Sequence, residues 1–473
     1  MTPLMVLLGL TALRLAVAAT MPLSADEAYY WVWSRALAPG FPDHPPMVAL
    51  WIRLGTAMAG ETALGVRLLG PLAAAAGSVL LASAAEALFP GRRLGVPAAV
   101  ILNATLMLGV GAVTMTPDTP LLFFGTLALW ALARVQADGR WWLAVGAAGG
   151  LALDSKYTGA LLGVGILLWL SWVPGLRAAF RTVWLWAGGG IAALLVLPVI
   201  VWNGQHGWAS FVRQGGRAGD WRPGAAVQHV TELLAGQVGL ATPALFVMFG
   251  AGLWMAGRRA AARDPAWSLL AALSLPGLLL FLQHAIGDRV QANWVAVVYP
   301  PAAIAAAALG WRRWRAAAGI GFALTGIAYL QAAAAPLALP RRFDPTLIRL
   351  AGWDDVAQRA DAMRREAGGG FLAAEDYGQA SLLAWWAPRG VAVLGADARW
   401  DLFRLSKPAP GASGVLLVRQ RRSEPPDPAL WQEASELGHI VRRRGGVEAE
   451  AFRVYRVVSR PGATAVTLPR PGG

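Results

Sequence analysis

Apolar runs of membrane-spanning length dominate this chain and leave few folds open to it. A helix that crosses a bilayer needs roughly 20 mainly apolar residues, and about eleven segments meet or approach that length. They lie near 3–20, 63–87, 95–113, 119–136, 141–154, 158–173, 183–202, 237–256, 267–286, 293–310 and 316–335. The fifth and sixth are short, so they also read as one merged or re-entrant segment. The first apolar run starts almost at Met1, with no basic stretch before it and no convincing cleavage site after it. It reads as a first membrane helix rather than as a cleaved leader. Only 14% of the 473 residues are charged and 56% are hydrophobic, against about a quarter charged in soluble domains.

Charge placement sets the expected topology. The net charge is +14, which on a soluble protein raises the question of nucleic acid. Here the basic residues gather in short loops between apolar runs. Arg92 and Arg93 follow the second segment, Arg140 the fourth, Arg177 and Arg181 the sixth. Arg258, Arg259 and Arg263 follow the eighth, and Arg312, Arg313 and Arg315 the tenth. Every second loop is therefore arginine-rich, which places those loops in the cytoplasm. The N-terminus is then cytoplasmic, the C-terminal region lies outside, and no nucleic-acid partner is expected. There are no cysteines, which excludes disulfides, thiolate metal sites and a cysteine nucleophile.

After Pro340 the composition changes. Residues 349–366 read as an amphipathic helix, and 371–374, 391–394, 414–419 and 452–458 as short buried strands. The expected organisation is a transmembrane domain over 1–338 with outer loops 21–62 and 203–236. An extracytoplasmic α/β domain over 339–460 and a Pro/Gly-rich disordered tail over 461–473 follow it.

Residues able to do chemistry collect in the outer loops. The first loop carries Asp26 and Glu27 where the first helix leaves the bilayer, then Tyr29, Tyr30, Trp31 and Trp33. The aromatic run reads as a membrane-surface helix, with sugar or lipid stacking as the alternative. Ser24 or Asp26 suits a helix N-cap. In a functional reading, Asp26 is a general base that takes a proton from an acceptor hydroxyl. Asp43 and His44 precede a rigid Pro-Pro pair. Asp118, in Thr-Pro-Asp-Thr-Pro, suits both a helix start and a catalytic acid. Lys156 is one of two lysines in the chain. A lysine at membrane depth costs about 2.5–3.5 kcal/mol. A phosphate partner would justify that cost, and an ion pair with Asp154 is the plainer account. The long loop after residue 203 holds His206, Arg213, Arg217 and Arg222, and a later loop holds Arg289, Asn293 and Trp294. Arginines on the outer side favour an anionic ligand.

These motifs together resemble a known family. Asp26-Glu-Ala-Tyr-Tyr-Trp-Val-Trp-Ser34 with Asp43-His-Pro-Pro-Met47 is similar to the first loop of bacterial GT-C glycosyltransferases. These are relatives of the protein O-mannosyltransferases and of the aminoarabinose transferases that modify lipid A. Thr116-Pro-Asp118, Lys156-Tyr-Thr-Gly159 and Trp202-Asn-Gly-Gln-His-Gly-Trp208 are similar as well, and the resemblance covers about residues 1–310. It implies a polytopic α-helical membrane fold with a small α/β outer domain. It also implies a polyprenyl-phosphate-sugar donor and an inverting single displacement onto a lipid, lipopolysaccharide or other envelope acceptor. By position Asp26 matches the catalytic base, Glu27 its acidic neighbour and Asp118 the second outer-loop acid. Lys156, with Tyr157, Arg217 and Arg289, is assigned to the donor phosphate. Tyr30, Asp43, His44, His206 and Trp294 are assigned to substrate binding. A divalent ion held by Asp26, Glu27 and Asp118 is a candidate cofactor. The enzyme expected is a glycosyltransferase of the bacterial inner membrane. A transporter or lipid flippase is the rival reading, but it would call for inverted repeats, and none is visible. A non-catalytic receptor would not need acids and bases gathered on one side.

Overall fold

The computed structural model describes residues 2–216, 223–422 and 424–470. The chain divides into two compact units. The first comprises Met1–Ala16, Pro39–Trp51 and Arg67–Tyr329, and the second Val17–Ala38, Ile52–Val66 and Leu330–Gly473. The last junction falls between Tyr329 and Leu330. Two stretches around the first outer loop group with the C-terminal region instead.

The first unit is helical among its described residues, and every expected apolar segment that it contains carries helix. Among the described residues of both units, five helices are long and apolar enough to cross a membrane singly: Pro3–Thr20, Ala63–Leu88, Val183–Gln205, Pro265–Gly287 and Trp314–Ala334. Two bent pairs raise the number to seven. Several expected spans are broken rather than continuous. The segment at 237–256 straddles two helices, Pro223–Ala241 and Pro243–Ala261, that meet at 106°. The cause is local: Thr242 adopts φ +71° and Pro243 has no N–H to continue the ladder. The segment at 95–113 becomes Gly95–Asn103 and Leu106–Gly111. Thr105 caps the second of these by accepting from the Leu108 N–H at 3.2 Å.

Small residues let these helices approach closely, as they must where lipid supplies no hydrophobic drive for association. The helix Trp141–Ser155 packs along Val183–Gln205. A Cβ added at Gly146 would lie 1.9 Å from the Gly188 carbonyl oxygen, and one at Gly188 would lie 2.2 Å from that of Trp142. Only glycine fits at this crossing. Some polar groups inside the bundle pair with one another. Arg14 is buried and donates to Asn103 Oδ1 at 2.8 Å, and Asn103 Nδ2 donates to Ser78 at 2.7 Å.

The second unit contains a six-stranded mixed sheet. Its strands are β1 (Phe371–Ala374), β2 (Ala392–Gly395), β3 (Ser413–Arg419), β4 (Trp431–Arg444), β5 (Val447–Ser459) and β6 (Val466–Thr467), in the order β4-β5-β3-β1-β2-β6. The inner strands β1, β2 and β3 run parallel, with Leu372 beside Val393 and Val415. Phe371, Leu394, Leu416, Trp431 and Val457 build the core on one face. The amphipathic helix Trp353–Glu366 and the strands β1, β2, β3 and β5 lie where the periodicity places them. The edge strand β4 and the helix Tyr377–Trp386 were not anticipated. Most of β4 is exposed and it pairs with β5 alone, so no apolar alternation announces it.

The expectation of a disordered tail from 461 is corrected over 461–470. Val466 and Thr467 pair antiparallel with Gly395 and Leu394, and Ala465 and Leu468 are buried. The Arg470 guanidinium donates to the carbonyls of Ala384 and Val391. A two-residue strand between prolines and glycines is too short to show a period.

Asp344 ties the tail to the end of the last apolar helix. It accepts from Leu347 N–H, Thr346 Oγ1 and Gln331 Nε2 and pairs with Arg444 at 2.6 Å. Burial alone would raise its pKa. The Thr346, Leu347 and Gln331 hydrogen bonds and the Arg444 charge outweigh burial and hold the carboxyl down from 3.8 to about 2. The folded value lies below the unfolded one, so the stabilisation is complete above about pH 4 and is lost as pH falls towards 2. Asp344→Asn is expected to lower stability by about 2 kcal/mol at pH 7. Thermal unfolding in detergent across this range should show the gap to wild type closing between pH 4 and pH 2. A gap unchanged at pH 2 would assign the effect to something other than the carboxylate charge.

Candidate functional site

Each unit contains its own cluster of the expected residues. In the first unit the cluster is built on two helix ends. Asp118 is the first residue of the helix Asp118–Leu132. Lys156 ends the helix Trp141–Ser155 in an extended conformation, φ −159° and ψ 142°, so the backbone leaves the helical path there. Its ammonium meets Asp118 Oδ1 at 2.6 Å, and Asn293 Nδ2 donates to Asp118 Oδ2 at 2.6 Å. Lys156 is only 6% exposed, and Nζ sits 5.9 Å from the centre of the Trp294 ring. The plainer account of Lys156, a pair with Asp154, gives way to one with Asp118, 38 residues away in sequence.

Tyr157 opens a second polar group. Its hydroxyl lies 2.5 Å from Ser210 Oγ, and Ser210 Oγ donates to Asn203 Oδ1 at 2.5 Å. Asn203 and Ser210 are fully buried. His206 stacks on Trp202 at 4.3 Å. Its Nδ1 lies 2.7 Å from the Trp202 carbonyl oxygen, a contact that puts a proton on Nδ1. Asp43 is buried and pairs with Arg213 at 2.6 Å, while Gln214 donates to its carbonyl. His44, half-buried, follows it in the loop. Arg289 is 71% exposed at its side chain and pairs with Glu232 at 2.9 Å. Arg217 lies outside the described residues.

In the second unit, Asp26 is the second residue of the helix Ala25–Arg35 and is exposed. The Tyr377 hydroxyl donates to Asp26 Oδ1 at 3.3 Å, and the Arg399 guanidinium stacks 4.0 Å above the Tyr377 ring. Glu27 has a different environment. It is fully buried, and its carboxylate accepts from the Ser24 N–H and Oγ at 3.0 Å while Ser24 Oγ caps the Glu27 N–H. This is a capping box. The aromatic run is not a membrane-surface face: Tyr29, Tyr30, Trp31 and Trp33 are all buried. Tyr29 packs edge-on against Tyr377 and Trp400, and Trp31 against Trp385.

The expected metal set divides between the two units, with Asp26 and Glu27 in the second and Asp118 in the first. Among the described residues no group of three or more His, Asp or Glu side chains gathers that could hold an ion. Glu27 closes its capping box, and both oxygens of Asp118 accept from amine or amide donors.

Several site residues left no clear trace in the sequence. Ser210 and Tyr377 are single polar residues in unremarkable surroundings, and only folding brings them to Tyr157 and Asp26. Asn203 stands inside the Trp-Asn-Gly-Gln-His motif but could equally have been a helix-end residue.

Comparison with known proteins bears on this arrangement. Residues 43–202 match the family described as dolichyl-phosphate-mannose-protein mannosyltransferase. The lipid A galacturonosyltransferase RgtD of Rhizobium johnstonii is 30% identical over 378 residues, covering 77% of this chain and 78% of that protein. The crystal structure of ArnT from Cupriavidus metallidurans bound to undecaprenyl phosphate superposes with a TM-score of 0.62 at 15% identity. It covers 96% of this chain and 97% of that one. The apo form of the same protein gives 0.60 at 16% identity. The helical membrane part with its small mixed sheet is thus the fold of that transferase. Identity of 30% across more than two thirds of both sequences carries the relationship beyond fold, and this protein belongs to the GT-C membrane glycosyltransferases that the outer-loop motifs pointed to.

Proposed function

We propose that the protein moves a sugar from a polyprenyl-phosphate carrier to lipid A or a related envelope lipid at the periplasmic face of the inner membrane, with inversion. The acceptor class follows the name of its 30%-identical relative. The carrier class follows the undecaprenyl phosphate held by the solved transferase of the same fold. The topology is that of the arginine-rich loops: eleven apolar segments, N-terminus cytoplasmic and C-terminal region periplasmic.

Lys156 is the observation that carries the reading. A buried ammonium has three N–H donors, and Asp118 accepts one of them. The others suit the non-bridging oxygens of a lipid phosphate. In the reaction, Asp26 takes the proton of the acceptor hydroxyl. The hydroxyl oxygen forms the new bond to the anomeric carbon on the face opposite the carrier. The bond from that carbon to the phosphate oxygen breaks, and its electron pair leaves with polyprenyl phosphate. Charge grows on that phosphate in the transition state, and a fixed cation with little water around it stabilises such charge best. Tyr157 and Arg217 are assigned as further donor contacts. Tyr30, Asp43, His44, His206 and Trp294 are assigned to positioning the substrates. Arg289 belongs to the phosphate contacts in this proposal only if it leaves Glu232.

The test is release of polyprenyl phosphate by purified protein offered a panel of polyprenyl-phosphate sugars, with and without a lipid A acceptor. Acceptor-dependent release from one donor is the expected result. No release from any donor, by protein shown to be folded, would overturn the proposal and bring lipid translocation forward.

A further inference from the structure

The second unit contains a cavity of about 350 Å³ that the mechanism above does not use. Its walls come from the stretch Ala19–Leu23, from Glu61 and Ala63, and from Trp385 and Trp386. The size falls at the lower end of small-molecule sites, about 300–1,000 Å³.

The lining is specific in kind. Two tryptophans stand side by side on the helix Tyr377–Trp386, and Trp385 is locked edge-on against Trp31, with ring centres 5.0 Å apart. The Trp386 indole nitrogen is closed off from the cavity space, so this residue offers the cavity its ring carbons. Glu61 is held by two neighbours: Trp31 Nε1 donates to Oε2 at 2.7 Å, and the Arg35 guanidinium pairs with Oε1. Arg35 is anchored in turn by Thr56 Oγ1 at 2.7 Å. Each Glu61 oxygen keeps a lone pair for a further donor.

A hydrocarbon chain placed here would desolvate the Glu61 carboxylate without replacing its hydrogen bonds to water, which is costly. A sugar ring avoids that cost. Its C–H face lies on an indole, and one hydroxyl donates to Glu61. The position agrees with a lipid-linked sugar. Ala19–Leu23 lies where the first apolar helix ends, and the chain runs from it directly into the helix that carries Asp26.

We infer that this cavity is the subsite for a sugar ring of the glycolipid acceptor, with Trp385 and Trp386 as stacking groups and Glu61 as acceptor of a hydroxyl. The inference rests on the transferase reading above.

The experiment uses the full-length protein in detergent and two variants, Trp386→Phe and Trp385→Ala. The first keeps an aromatic ring of smaller area, so it guards against a simple loss of folding. The acceptor KM should rise about threefold in Trp386→Phe, which loses part of the stacking surface, and about tenfold in Trp385→Ala. The donor KM and kcat should be unchanged. Independently, the deacylated glucosamine disaccharide of lipid A is used as a probe in saturation-transfer NMR, which needs no turnover. Saturable binding by wild type, weakened in both variants, is expected. Binding that is absent, or equal in all three proteins, would overturn the subsite. So would a wild-type enzyme whose acceptor KM does not respond to either change, or whose donor KM rises instead. If wild type releases no polyprenyl phosphate at all, the transferase reading fails, and the NMR result still decides the cavity by itself.

Discussion

Asp26→Asn is expected to lower sugar transfer by about 10²–10⁴-fold, the usual contribution of a positioned general base, with little change in stability. The two halves of that expectation have separate grounds. Asn keeps the shape of Asp and loses the ability to accept a proton at neutral pH. The site tolerates the exchange because Asp26 is exposed and its partner Tyr377 is a hydroxyl at 3.3 Å, which bonds an amide oxygen as readily as a carboxylate. The neighbouring carboxylate is a poor substitute for the role. Glu27 is fully buried and bonded to Ser24 in the capping box, so it holds the helix rather than a proton in transit. The measurement is acceptor-dependent release of polyprenyl phosphate by wild type and variant, with thermal midpoints recorded on the same preparations. Turnover near the wild-type rate in a folded Asp26→Asn protein would remove Asp26 from the mechanism and leave the fold assignment untouched.

Replacing Lys156 by Met should reduce kcat by about 10²–10³-fold, the range seen when one preorganised electrostatic contact to developing charge is removed. Here folding and catalysis must be separated. The Lys156–Asp118 pair is nearly dry, and removing one member of such a pair leaves a buried unpaired charge at a cost of about 3–5 kcal/mol. The single variant is therefore expected to be destabilised as well as slow. The double variant Lys156→Met with Asp118→Asn removes both charges and keeps the Asn293 contact available. It should recover most of the stability while transfer stays lost. If the neutral pair turned over at close to the wild-type rate, Lys156 would be structural, and the donor phosphate would need another cation.

Much of the architecture was legible because its causes are local. Long apolar runs cannot be accommodated in water, so their helices and the arginine-rich loops between them were visible without coordinates. The strands β1, β2, β3 and β5 were visible because each is short, apolar and flanked by turn residues. The corrections came where a local signal was missing or carried two meanings. The apolar run at 237–256 hides a bend, because hydropathy does not register a positive φ before a proline. The aromatic run Tyr29–Trp33 has the composition of a membrane-surface helix, yet its rings are buried against Tyr377, Trp385 and Trp400 from a segment more than 340 residues later. Strands β4 and β6 have no period of their own and exist because β5 and β2 offer them hydrogen-bonding edges.

By itself the sequence determined the membrane class, the helical segments, the expected sidedness and, through its outer-loop motifs, the transferase family. These follow from hydrophobicity, charge and short spacings, which act over a few residues. Only the tertiary structure decided the partners of the reactive groups. Asp118 meets Lys156 across 38 residues and Asn293 across 175, and Tyr377 reaches Asp26 across 351. Glu27, adjacent to Asp26 in the chain, is buried in a capping box while Asp26 is exposed. The physical reason is that pairing and desolvation depend on which distant segments pack together, and no local pattern of residue types encodes that.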